Sequence, residues 1–189
     1  MRLLKIVIPC LLLGGCMFGT SQSAKFYTQS AVSTGVLSAD FASSVSVNRI
    51  QLPKYMDRPQ MVTQSQDSAQ INISEYNRWV EYPSVLMTQT LTENMSALLP
   101  SALIKVNLAK GEKFDKNVTV EISKISAVLG DKVELSAWYI IKDKGGEILA
   151  QQKFTGTVQI GKTYDDVAKG YNQLLAQLSQ EIAVALLKK

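Results

Sequence analysis

The chain has 189 residues, 46% of them hydrophobic and 19% charged, with 20 Lys+Arg against 16 Asp+Glu for a formal charge of +4. That length suits one domain, and that composition excludes disorder as the overall state. Histidine is absent and the cysteines are Cys10 and Cys16 alone, which removes imidazole bases, Ser-His and Cys-His nucleophiles, zinc knuckles and any disulfide framework from the body of the protein.

The first stretch reads as an address. Arg2 and Lys5 form a basic start, and Ile6 to Leu13 is an apolar run well short of the ~20 residues a membrane span needs. It ends in Leu13-Gly14-Gly15-Cys16, which resembles the bacterial lipobox. Residues 1–15 are therefore expected to be a lipoprotein signal peptide, and Cys16 to be the first mature residue, carrying a covalent lipid such as palmitate. More than one acyl chain makes such an anchor stable. Cys10 is discarded with the leader and has no role. Met17 and Phe18 follow Cys16 with no aspartate, which favours export to the outer membrane. Removing the leader takes away Arg2 and Lys5, so the mature charge falls from +4 to +2. With no Lys/Arg cluster remaining, nucleic-acid binding has no support. Gly19 to Ala24 is small and polar, so residues 16–24 read as a lipidated flexible tether and residues 25–189 as a single folded domain that starts near Phe26-Tyr27.

Short strands follow. Val45 and Val47 lead into Ile50 and Leu52, Pro53 interrupts, residues 60–64 resume around Met61-Val62, and Ile71 and Ile73 make a further piece. Pro83-Ser84 opens a first helix that closes before Pro100, with Met87, Leu91, Met95 and Leu98 on one face. Val118, Val120 and Ile122 alternate, then a turn at Gly130-Asp131, then Val133, Leu135, Ala137, Tyr139 and Ile141. Asp143-Lys144-Gly145-Gly146 forms the next turn, where glycine accepts a positive φ, and Ile148 to Ile160 returns. This meander has one apolar face, leaving the other polar or in contact with a partner. The second helix begins at Thr163, whose hydroxyl caps the first turn with Asp166 three places on. Val167, Tyr171, Leu174, Leu178, Ile182 and Leu186 form its stripe, and Gly170 within it suggests close packing on the sheet. The expected fold is α+β, a two-layer sandwich of a mainly antiparallel or mixed sheet with two long helices on one face.

No catalytic group stands out: Asp165-Asp166 reads as helix-start chemistry, the glycines lack a phosphate-loop context, and no metal-ligand set is visible. The unusual segments are Pro53 to Val62, P-x-Y-x-D-R-P-Q-x-V, and Glu75 to Glu81, E-Y-N-R-W-x-E. In one reading Tyr76 and Trp79 fill the end of the core while Arg58 or Arg78 pairs with an acid. In the other, Tyr55, Arg58, Arg78 and Trp79 form a partner-binding surface, because Trp, Tyr and Arg dominate hot spots.

Together with the lipobox and the closing helix around Leu174 to Ala183, these two motifs resemble the ABC-type transport auxiliary lipoprotein family (PqiC/YmbA-like). Val80 departs from the alanine more usual in the tryptophan motif. The resemblance implies a non-enzymatic lipoprotein without cofactors, on the periplasmic face of the outer membrane of a Gram-negative bacterium. It would serve an MCE-type intermembrane lipid transport system with an inner-membrane permease-like partner. The expected task is docking the periplasm-spanning MCE-domain protein, with a homo-oligomeric ring as one assembly. Alternatives are a periplasmic lipid-binding carrier, or an assembly scaffold for another envelope machine.

Overall fold

In a computed structural model, residues 22–32, 35–107 and 111–188 are described; the lipobox and Cys16 lie outside them. The meander is the backbone of the molecule. β-branched and aromatic residues alternating over long runs build a β-strand from Lys116 to Ala127 (β6), another from Lys132 to Asp143 (β7) and a third from Ile148 to Gln159 (β8), paired antiparallel in that order. Gly130 and Gly146 hold the positive φ values, +76° and +90°, that the two turns require. Val133, Leu135, Ala137, Tyr139 and Ile141 are all buried, as their period of two demands. In β6 the buried set shifts phase from Val118, Val120 and Ile122 to Ile125 and Ala127, because a register shift between Ile122 and Lys124 inserts one residue.

The helices pack on the buried face. One runs from Pro83 to Leu98 (α1) and the other from Tyr164 to Leu187 (α2). Both sequence-derived stripes are buried throughout. The capping box at the start of α2 is present in full: Thr163 Oγ1 accepts from the Asp166 amide, and the Asp166 carboxylate accepts from the Thr163 amide. Across the helices runs the segment after residue 27. Its Ser30 amide donates to Asn172 Oδ1, its Val32 amide to Asn94 Oδ1, and its Leu37 and Ser38 amides to the Leu98 carbonyl at the end of α1.

The α+β two-layer arrangement stands, with a finer division than the sequence suggested. The strands fall into two sheets. Ser44–Val47 (β2) lies parallel to both β6 and Leu103–Val106 (β5), giving a five-stranded mixed sheet in the order β5-β2-β6-β7-β8. Lys25–Tyr27 (β1), Gln60–Gln64 (β3) and Ile71–Trp79 (β4) form a second sheet in the order β1-β4-β3. Strand β4 runs through the tryptophan motif, which sequence patterning left unassigned because Ser74 to Arg78 carries no alternation. Strand β5 also escaped: four residues with a single buried side chain, Ile104, leave almost no periodic signal.

Candidate functional site

Both motif segments meet at one end of the small sheet. The Pro53 to Pro59 stretch folds into tight turns, with the Met56 and Asp57 amides donating to the Pro53 carbonyl and the Arg58 amide to the Met56 carbonyl. From there the chain enters β3 opposite the last residues of β4, where the Trp79 amide donates to the Pro59 carbonyl. The first turn of α1 follows three residues later.

Asp57 has a role that no local pattern announces. The residue preceding α1, Tyr82, provides no side-chain cap. Instead the Asp57 carboxylate accepts from the Ser84 amide at 3.0 Å and from Ser84 Oγ at 2.9 Å, reaching across 27 residues of sequence. Arg49 completes the cluster by donating from Nε and Nη2 to Ser84 Oγ, at 2.9 and 2.7 Å. The serine hydroxyl thus uses its one donor and both acceptor sites, and a carboxylate sits where the helix dipole favours negative charge. The expectation that Arg58 or Arg78 pairs with an acid finds no ion pair of either among the described residues.

The four residues expected to bind a partner are placed differently from one another. Tyr55 is 46% exposed, and Arg58 and Arg78 are half-buried. Trp79 is only 5% exposed, its ring centroid 6.3 Å from that of Tyr171 on α2. It anchors the sheet to the helix and takes no part in a free surface. The reading in which Trp79 fills the core end therefore describes it better, whereas Tyr76 stays exposed. Among the described residues Arg58 makes no ion pair, and its Nε is buried without a hydrogen-bond partner there. Burial pushes the Tyr171 phenol well above its ordinary range, with the Tyr55 phenol a secondary cause.

Exposed apolar groups continue this end of the molecule. Phe26 is the register partner of Arg78, the Val80 amide donates to the Tyr27 carbonyl, and Phe26, Val80 and Tyr82 are all exposed. Sequence patterning passed over them because three scattered apolar residues around a turn have no period. Beneath, Leu52, Met56, Met61, Trp79, Met87 and Tyr171 help line a crevice of about 10 Å³, room for a single water. Ligand pockets run to roughly 300 Å³ and more. The crevice beneath Trp79 is thus too small to hold an acyl chain.

A comparison with family models matches residues 27–183 to the ABC-type transport auxiliary lipoprotein component. The chain belongs to this family. Auxiliary lipoproteins of this PqiC/YmbA-like type are non-catalytic, belong to an ABC/MCE-type transport context, and face the periplasm from the outer membrane. Among solved structures, a crystal structure of an uncharacterised protein aligns with a TM-score of 0.70 at 20% identity, covering 86% of this chain and 98% of its own. A Xanthomonas campestris protein aligns with a TM-score of 0.67 at 10% identity, covering 85% and 96%. At such identities they share the fold. A comparison with curated proteins finds no match.

Proposed function

We propose that this auxiliary lipoprotein is lipidated at Cys16 after loss of residues 1–15, is held by a tether of residues 16–24, and docks the distal end of a periplasm-spanning MCE-domain protein. The inner-membrane permease-like component completes the system, and identical subunits can gather as a ring around the docked end. The observation that carries this reading is the convergence of both family motifs on one end of the small sheet. Tyr55, Arg58 and Arg78 lie there beside exposed Phe26, Val80 and Tyr82. Aromatic anchors flanked by arginine suit a protein partner. Trp79 contributes by fixing the platform.

The test is capture of the MCE-domain protein from gently solubilised membranes. A Tyr55→Ala/Arg78→Ala variant should reduce the captured partner by about 10-fold or more, as loss of a hot-spot pair would, with the melting temperature little changed. Trp79→Ala is a poor probe, since emptying a buried indole costs about 3–5 kcal/mol of stability by itself. Equal capture by the double variant and the parent, or no MCE protein captured by either, would sink the proposal.

A further inference from the structure

The large sheet has two unlike edges. In the order β5-β2-β6-β7-β8, one edge is β5, 4 residues long, and the other is β8, 12 residues long and paired only with β7. Short strands, prolines, bulges and charges are the usual means of blunting an edge. β8 has little of this: Ile148 to Gln159 contains no proline and a single charge, Lys153, and its register shift lies at the hairpin end, opposite Ile141 and Lys142 of β7. The hydrogen-bond phase follows from the far end of the ladder. The Ile160 amide donates to the Asp131 carbonyl, so, counting back in twos, Val158, Gly156, Phe154 and Gln152 bond to β7. The amides and carbonyls of Gln151, Lys153, Thr155, Thr157 and Gln159 therefore point to the open side, and among the described residues they have no backbone partner there.

Beside this edge lies a groove of about 490 Å³ between β8 and the C-terminal half of α2, its lining including Gln152 and Phe154 from the strand and Gln177, Gln180, Glu181 and Val184 from the helix. Its volume is that of a ligand site. A strand placed about 4.8 Å beyond β8 would hang every second side chain over this groove. The lining says what those side chains should be. Gln152 Oε1 accepts from the Tyr139 hydroxyl at 2.6 Å, Gln177 and Gln180 bring two further amides that are exposed, and Glu181 makes no ion pair among the described residues. Lys188, also at the groove, is two turns farther along α2, about 10 Å away along the axis. Side chains bearing hydroxyls and amides fit such a surface, with a basic one opposite Glu181.

We propose that an extended segment of a partner protein joins the large sheet along the open side of β8, its backbone satisfying the edge and its alternate side chains lowered into the groove beside α2. Strand addition of this kind takes affinity from main-chain hydrogen bonds and selectivity from the side-chain positions. The segment is a terminus or linker rich in Ser, Thr, Asn and Gln, with a Lys or Arg to meet Glu181. A second copy of this chain suits the site less well. Its own β8 carries Phe154 and Val158 already packed in its own core, so pairing edge to edge would bring two α2 helices to the strip and leave both grooves unfilled. A segment with no helix of its own fills one. The site is separate from the docking motifs of the small sheet and depends neither on lipidation of Cys16 nor on the MCE-domain protein.

The probe is a random dodecapeptide library displayed on phage and panned on the full chain in detergent, followed by hydrogen exchange of the chain with the selected peptides in synthetic form. Those peptides should carry the composition just described and should slow exchange at Gln151, Lys153, Thr155 and Thr157. Thr157→Pro removes one open-side amide while sparing the bonds to β7, as a proline on an edge strand can, and should weaken binding about 10-fold or more. Thr157→Val keeps the amide and should bind like the parent. Gln180→Trp fills the groove from an exposed helix position and should weaken binding to a similar extent, so the outcome does not hang on the folding of a proline variant. Failure to select any peptide, equal affinity for the parent and Gln180→Trp, or protection confined to the motif end of the small sheet overturns the proposal. Protection of the same β8 amides on raising the concentration of the chain alone identifies the occupant as a second copy and likewise overturns it.

Discussion

At Asp57 a residue of the first motif proves to hold the fold together. Helix α1 begins with a proline and has no acidic residue in its first turn, so its free amides depend on a carboxylate delivered from a turn 27 residues earlier. Asp57→Ala should strand the buried Ser84 amide and loosen the Arg49 contact to the same hydroxyl. The expected cost is about 1–3 kcal/mol, seen in calorimetry as a fall in melting temperature of several degrees, with capture of the partner by the protein still folded unchanged. A melting temperature equal to the parent's would show the cap to be dispensable. The D-R-P run was plain in the sequence; its bond to Ser84 was not, because a contact that closes a long loop leaves no local periodicity.

Elements whose pattern is repeated many times were the legible ones. The stripe on α2, the capping box at Thr163 and the three meander strands appear where their residues placed them. Gly170 also fits its sequence reading: a Cβ there would lie 2.6 Å from Val133 Cγ2 and 2.7 Å from Ile160 Cγ2. Both neighbours are β-branched and stiff, so neither can retreat easily. Alanine is about 1 kcal/mol better than glycine as a helix former, yet the overpacking cost of about 1–3 kcal/mol opposes and should exceed that gain. Gly170→Ala should therefore lower the denaturation midpoint, while an alanine at exposed Gln173 should leave it alone. A raised midpoint for Gly170→Ala would mean that α2 can shift off the sheet. Short β1 and β5 had too few residues to show a period, and their existence depends on parallel neighbours, β4 and β2, that are distant in the chain.

Over the whole molecule, charge and shape give distinct expectations. Serine hydrogen bonds hold the Asp115 carboxyl below its ordinary value, Lys124 and Lys132 do so for Glu134, and Thr163 does so for Asp166. Depressed folded-state values mean stabilisation that is complete above about pH 5 and lost as the pH falls through the carboxylate range. Burial raises the phenols of Tyr27, Tyr139 and Tyr171. That contribution is present below pH 10 and lost above it, as unfolding frees them to ionise. No histidine titrates between, so melting temperature against pH should be a plateau from about 5 to 9 with falling arms on both sides; a step near pH 6–7 would contradict this. The sequence by itself determined the α+β class, both helix faces, the three meander strands and the family, since each is written in local periodicity or contiguous motif residues. Only the tertiary structure decided that the strands form two sheets, that Trp79 faces inward while Tyr55 faces out, and that Asp57 caps a remote helix. The reason is physical: period and propensity act within a few residues, whereas burial and register depend on which distant segment arrives opposite.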